Sequence, residues 1–390
     1  MTRAVVVIDG EHYAPVVRDA LAALPYEVTG VWMAGGTEKL RGGEDYGVPV
    51  VEDFRGADVV VDLSDEPVMS ATKRFRLASD VLAQGLPYVG PDFRFDPPVF
   101  EPFPLPSIAV IGTGKRVGKT AVTGHVARRL AREREVVVVA MGRGGPAEPE
   151  VIESAPTVAE LLELSRTGRH AASDHLETAV AAGVVTIGCR RAGGGLAGMV
   201  TASNVSAGAR LAAARSPEVV VFDGSGAAIP PVAADRRILV VGPGQDATAH
   251  LNAYRVLISD VVVALDRPDA DAIRAIKEVP VLQVELRLRP LEPLAGRRTA
   301  VFTTGAAPTG HLDADVVAVS QNLADRARLR DDLDGVDADV YLIEVKAAAI
   351  DVVAETAAQR GVDVVLAVND VVSDELDEVL AELVPEVARV

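Results

Sequence analysis

The chain has 390 residues, 49% of them hydrophobic, a formal charge of −17 at pH 7 and a single cysteine, Cys189. That length predicts two or three domains, and an apolar fraction dominated by Val and Ala supplies their cores. The negative charge argues against a general nucleic-acid or anionic-membrane surface, no window of 18 uncharged apolar residues offers a membrane span, and one cysteine excludes an internal disulfide, so a reducing cytoplasm is the expected setting.

The opening MTRAVVVIDGEH runs straight into Asp9 and Glu11 and reads as a first strand, not a secretory leader. Over residues 1–90, apolar strands at 4–8, 28–33, 48–51, 59–63 and 87–90 alternate with helices at 14–24 and 70–84. Continuous apolar strands separated by helices predict a mainly parallel sheet covered on both faces, a Rossmann-like α/β domain. The first turn is Asp9-Gly10-Glu11-His12, without GxGxxG, so a dinucleotide site of the usual kind is unsupported. Residues 91–106 carry six prolines, at 91, 97, 98, 102, 104 and 106. Such density forbids helix and predicts an extended, semi-rigid link.

The second segment, 107–298, starts with an apolar run at 108–111, then GTGKRVGKT at 112–120, then a helical pattern with Val122, Val126 and Leu130 on one face. Strand, glycine-rich turn and Gly-Lys-Thr opening a helix build a phosphate cradle. Backbone N–H groups and the positive helix end face the anion, Lys119 reaches the β- and γ-phosphates, and Thr120 offers a hydroxyl to magnesium. The strict spacing GxxxxGK(S/T) is missed at Thr113, with glycines at 112 and 114 instead. Further strands are predicted at 136–140, 184–187, 219–222, 238–241, 261–265 and 281–284.

Three loops of this segment carry chemistry. The run 219–222 ends in Asp223 before Gly224-Ser225-Gly226, a buried strand delivering a carboxylate to the sheet edge, where it can hold magnesium or cap a turn. The loops 141–146, with Arg143, and 188–195, with Arg190 and Arg191, mix glycine with arginine, whose fork binds phosphate bidentately. Both predict contact with an anionic substrate, against the plainer reading of solvated turns. Cys189 reads first as a small buried strand-end residue, with a thiol of lowered pKa beside two arginines as the alternative. Ser173-Asp174-His175-Leu176-Glu177 reads first as a capped helix start, with a metal or catalytic role as the alternative. No HExxH, paired-cysteine zinc spacing or GxSxG elbow is present.

The third segment, 299–390, has predicted strands at 300–303, 316–319, 340–345 and 364–368 and helices at 321–333, 347–359 and 374–387. Residues 331–390 hold sixteen acidic residues against Lys346, Arg360 and Arg389, mostly on solvated helix faces. An anionic ligand must therefore be held by local cations, such as Lys346 at a strand end, or by the turn Thr303-Thr304-Gly305 acting as a second anion nest. The fold class is α/β: three segments with mainly parallel sheets and a central deviant P-loop NTPase domain.

GTGKRVGKT resembles the phosphate loop of dethiobiotin synthetase and related deviant P-loop ligases, with Asp223-Gly224-Ser225-Gly226 where those enzymes have a Glu-Gly-Ala-Gly type turn. Asp for Glu shortens the carboxylate by one methylene. The wider set is similar to the cyclic 2,3-diphosphoglycerate synthetase family. It comprises Ile8-Asp9-Gly10-Glu11-His12-Tyr13, the phosphate loop, Gly188-Cys189-Arg190-Arg191, Ala227-Ala228-Ile229-Pro230-Pro231-Val232 and Glu344-Val345-Lys346-Ala347-Ala348-Ala349. The resemblance implies an ATP-dependent ligase that closes an intramolecular phosphoanhydride in 2,3-diphosphoglycerate, with release of ADP and phosphate. It implies nucleotide on Gly114, Val117, Gly118, Lys119, Thr120 and Ala121, and Mg2+ on Thr120 and Asp223. The acid is expected on Asp9, Glu11, His12, Arg143, Arg190, Arg191 and Lys346, with Lys115, Lys119, Arg190 and Arg191 acting on the transferring phosphoryl group. The expected assembly is a homo-oligomer, a dimer. Two other readings stay open: another deviant P-loop ligase or kinase on a small acid, and a nucleotide-switch GTPase. The switch lacks an Asn/Thr-Lys-x-Asp guanine reader, since Leu265-Asp266-Arg267 supplies only the aspartate.

Overall fold

The computed structural model describes residues 1–166, 174–345 and 350–384. It is a mixed α/β protein built on three mostly parallel sheets. The N-terminal sheet has the order Val50–Val51, Glu27–Met33, Arg3–Ile8, Val59–Asp62, Tyr88–Val89, Arg94–Phe95, and only the last strand runs antiparallel. The central sheet runs Glu150–Ile152, Thr186–Ala192, Val136–Gly142, Val219–Asp223, Ser107–Gly112, Arg236–Val241, Val261–Ala264, Val281–Gln283. Its inner strands are buried along their whole length, which explains their Val-rich runs without alternation.

Ser107–Gly112 lies in the middle of that sheet, parallel to Val219–Asp223 on one side and Arg236–Val241 on the other. The phosphate loop and Asp223 therefore leave neighbouring strands at the same C-terminal edge, where ligands of open α/β sheets bind. Arg116, with φ 61°, and Gly118, with φ 88°, bend the loop into the helix Lys119–Leu130. A Cβ at Gly118 would also stand 2.7 Å from Leu265 Cδ1.

Three expectations change in detail. Residues 91–106 form no helix, but they are more than a spacer. Arg94–Phe95 pairs into the first sheet, Glu101–Pro102 pairs with Val232–Ala233, and Phe93, Phe95, Phe100 and Phe103 pack on the core shared by the first two sheets. The third sheet begins before residue 299, at Glu285–Pro290, which pairs antiparallel with Asp363–Val372. Its other strands, Val340–Glu344, Arg298–Phe302 and Asp315–Ser320, are parallel. The strand predicted at 184–187 extends over Thr186–Ala192, because Gly188, Cys189 and Arg190 keep pairing with Ala140, Met141 and Gly142.

The segments share cores. Leu376, Leu380 and Leu383 of the helix Asp374–Leu383 belong to the same apolar core as Val122 and Val126 of the phosphate-loop helix. No helix among the described residues is long and apolar enough to cross a membrane.

Candidate active site

The phosphate loop opens onto a cleft of about 630 Å³ between the central and C-terminal sheets. Lys115, Val117, Gly118, Lys119, Thr120 and Ala121 line its floor, with Arg116 beside them. Arg143 enters from the next strand but one, Asp223 to Gly226 from the strand between, and Thr304, Glu344, Val345 and Asn369 from the C-terminal sheet. Lys119 is buried and its Nζ donates to the Gly114 carbonyl at 2.9 Å, which ties the lysine to its own loop. Gly114 does not line the cleft; its place is beside Gln245, whose Nε2 would be 3.0 Å from a Cβ there.

Asp223 is 3% exposed and shaped by two hydroxyls. Thr123 Oγ1 donates to Oδ1 at 3.0 Å, and Thr178 Oγ1 donates to Oδ2 at 3.1 Å. Thr123 sits one turn beyond Thr120 on the loop helix, and Thr178 follows Glu177 on the helix Asp174–Ala182. Asp223 thus holds together the two helices that bring Thr120 and Glu177 to the cleft. Thr120, Asp223 and Glu177 all line the cleft, and each carries oxygen, a hard donor. Among the described residues no group of three or more His, Cys, Asp or Glu is placed to hold a metal by itself, so an ion here needs phosphate oxygens to complete its shell.

The arginine loops separate. Along Thr186–Ala192 side chains alternate, so Arg191 is buried while Arg190 is exposed and stands away from the cleft lining. Arg191 Nη2 donates to the Ser225 carbonyl at 2.8 Å and Nη1 to the Gly193 carbonyl. Beside it, a Cβ at Gly226 would stand 3.1 Å from Arg143 Nη2 and 3.3 Å from Arg191 Nη2. Two guanidinium groups from different loops thus converge on one glycine at the cleft edge.

The three expected residues of the N-terminal segment lie elsewhere. Asp9 is fully buried and organises its own turn: Oδ1 accepts from Glu11 N at 3.0 Å and faces His12 Nδ1 at 2.7 Å, and Oδ2 accepts from Asp65 N at 2.7 Å. Burial pushes this carboxyl up, but the Asp65 amide and the His12 ring outweigh it and hold it below the ordinary carboxylate value. Glu11 pairs with Lys39. None of Asp9, Glu11 and His12 lines the cleft. Lys346 lies outside the described residues, as does Ser173. His175 is buried against Gly188, its Nε2 3.5 Å from Glu150 Oε2, also away from the cleft. Burial pushes the Cys189 thiol up to about 12, consistent with a packed residue.

The C-terminal wall is where sequence reading saw least. Thr304 N and Oγ1 donate to Glu344 Oε2 at 2.7 and 2.8 Å, and Asn369 Nδ2 donates to Oε1. The turn proposed as an anion nest is therefore filled by the protein's own carboxylate. The signal was available: Glu344 closes the buried run Val340–Ile343 as Asp223 closes Val219–Phe222.

Three family models match in order along the chain: the cyclic 2,3-diphosphoglycerate synthetase N-terminal domain at residues 3–96, its P-loop domain at 107–282 and its C-terminal domain at 290–370. Among curated relatives, the cyclic 2,3-diphosphoglycerate synthetase of Rubrobacter xylanophilus is 45% identical, covering 99% of this chain and 98% of that protein. The synthetases of Thermococcus kodakarensis and Methanothermus fervidus are 41% and 38% identical, covering 95% and 97% of the chain and 94% and 95% of their own lengths.

Proposed function

The chain belongs to the cyclic 2,3-diphosphoglycerate synthetase family, and from that premise we propose that it uses ATP to close the phosphoanhydride between the two phosphates of 2,3-diphosphoglycerate, releasing ADP and inorganic phosphate. The observation that carries this reading is the meeting of a phosphate loop with a second cationic site: Arg143 lines the same cleft, and the Arg191 guanidinium lies behind it at Gly226 on the cleft edge. A kinase or ligase on a polyanionic acid needs both, because two clusters of negative charge must be brought together.

Two displacements at phosphorus account for the products. An oxygen of one substrate phosphate bonds to the γ-phosphorus as the bond to the β–γ bridging oxygen breaks and ADP leaves. The neighbouring phosphate of the same molecule then bonds to the activated substrate phosphorus, and the bond to the transferred group breaks to release inorganic phosphate. Phosphoryl transfer asks the protein for positioning and charge neutralisation more than for a base. Lys119 and the amides at the start of its helix hold the β- and γ-phosphates, Lys115 neutralises charge at the transferring group, and Arg143 with Arg191 grips the acid. Thr120, Asp223 and Glu177 fit a magnesium ion, which when bound draws charge from the phosphate oxygens. The protein works, on this reading, in the cytoplasm and as a dimer.

Phosphorus NMR of the purified protein with ATP, magnesium and 2,3-diphosphoglycerate tests the reaction. Cyclic product, ADP and phosphate should appear in equal amounts. ADP formed at the same rate without the acid would overturn the reading in favour of a nucleotide switch, and a linear phosphorylated product would favour a kinase.

A further inference from the structure

Arg255, on the short helix Asn252–Leu257, is 2% exposed and among the largest fully buried side chains. It donates only to neutral oxygens among the described residues: Nη2 to the Ala227 carbonyl at 2.7 Å, and Nη1 to the Leu196 carbonyl at 3.0 Å, the Leu251 carbonyl at 3.1 Å and Asn252 Oδ1 at 3.4 Å. Its Nε has no partner. Burial pulls the guanidinium down to about 10, which still leaves it charged at neutral pH. A buried charge without a counter-ion is costly, and an apolar residue of similar volume is what stability alone would favour.

What the charge touches explains its presence. Ala227 belongs to the turn that begins at Asp223, and Leu196 to the glycine-rich loop after Arg191. Arg191 bridges the same two loops through the Gly193 and Ser225 carbonyls. A backbone bond also joins the two loops, Ile229 N to the Gly198 carbonyl at 2.9 Å, and a Cβ at Gly198 would stand 2.7 Å from Ile229 Cγ1 and 3.0 Å from the Ala227 carbonyl oxygen. The loops are therefore stapled twice. Of the residues so joined, Ser225, held by Arg191, lines the cleft.

We propose that Arg255 is a positioning residue for the acid site: it clamps residues 224–227 against residues 193–198, so that Arg143 and Arg191 meet at Gly226 with fixed spacing. The kinetic consequence rests on the function proposed above, whereas the clamping does not.

The test compares Arg255→Lys and Arg255→Met in the full chain with the parent protein, by amide hydrogen exchange, by ATP equilibrium binding and by initial rates with 2,3-diphosphoglycerate. Exchange should speed up in peptides covering 193–199 and 224–229 and stay unchanged over 112–120. The Michaelis constant for the acid should rise roughly 10- to 100-fold in Arg255→Met, since small displacements of positioning groups have effects of that order. Arg255→Lys, keeping charge without the fork, should fall between. ATP affinity should stay within about twofold, because the phosphate loop is held by other contacts. Unchanged exchange in both loops overturns the proposal. So does an equal loss of acid and ATP binding with general destabilisation, the mark of a merely structural residue. Should Arg255→Met not fold, Arg255→Lys decides by the same criteria. If the parent protein does not consume the acid, the function is wrong, and the exchange comparison still decides whether Arg255 clamps the loops.

Discussion

At Gly226 the backbone has φ 61°, and the space a Cβ would take is bounded by Arg143 and Arg191. Gly226→Ala should therefore weaken the acid through both strain and displacement of the guanidinium groups, raising its Michaelis constant while ATP binding holds. Steady-state kinetics varying each substrate in turn checks this, and equal effects on both would count against the assignment. Lys119 poses a different question, since its donor acts on charge that develops during transfer. Lys119→Ala should keep the fold and lower turnover by about 10²–10³. Near-normal turnover would remove the phosphate-loop assignment. For Asp223→Asn the shape persists: one threonine hydroxyl goes on donating to the remaining oxygen, and the other can turn to accept from the new amide NH2. The lost charge should appear as a higher magnesium requirement with little change in melting temperature. A large drop in melting temperature with an unchanged magnesium titration would make Asp223 a purely structural bracket for the two helices.

The helices Lys119–Leu130 and Asp174–Ala182 meet at Gly124, where a Cβ would lie 2.9 Å from Ala181 Cβ and 3.0 Å from its carbonyl carbon. Alanine in place of an exposed helical glycine gains about 1 kcal/mol. Here backbone blocks the site, and overpacking costs about 1–3 kcal/mol, so the second effect wins. Gly124→Ala should lower the urea midpoint by the equivalent of about 1 kcal/mol. It should lower activity further, because the displaced helix carries Thr178, bonded to Asp223, and Glu177. A raised midpoint would show that the helices can part without strain.

Across the whole molecule, a cluster of charges joins the phosphate-loop helix to the C-terminal lobe. Arg128 pairs with Asp370, Arg289 Nε lies 2.9 Å from the same carboxylate, and His125 Nε2 lies 2.8 Å from Asp377 Oδ1. Burial pushes the Asp370 carboxyl up, but His125, Arg128 and Arg289 together hold it below its ordinary value. Folding lowers this value, so the stabilisation is whole above the unfolded carboxylate's value of about 3.9. It is lost as pH falls through the lower folded-state value. Asp370→Asn should thus destabilise by about 1–3 kcal/mol at pH 7, and the difference from the parent should shrink in the acid range. Urea midpoints across pH measure both, and a difference independent of pH would dissociate the cluster from Asp370's charge.

The α/β class, the succession of three segments, the phosphate loop and the carboxylate at the end of Val219–Asp223 are legible in the sequence. All of these are local: a buried parallel strand must be a continuous apolar run, and a phosphate turn must have its glycines and lysine at fixed offsets. Tertiary packing settled that Arg191 is buried beside Gly226 while Arg190 is exposed, because strand pairing runs on to Ala192, past the apolar run ending at 187, and puts the two on opposite faces. It also decided that Glu344 and Asn369, more than a hundred residues from the phosphate loop in sequence, form the opposite wall, and that Arg255 binds the backs of two loops it does not belong to. Contacts to backbone carbonyls leave no residue pattern in the partner, so nothing in the sequence of those loops announces them.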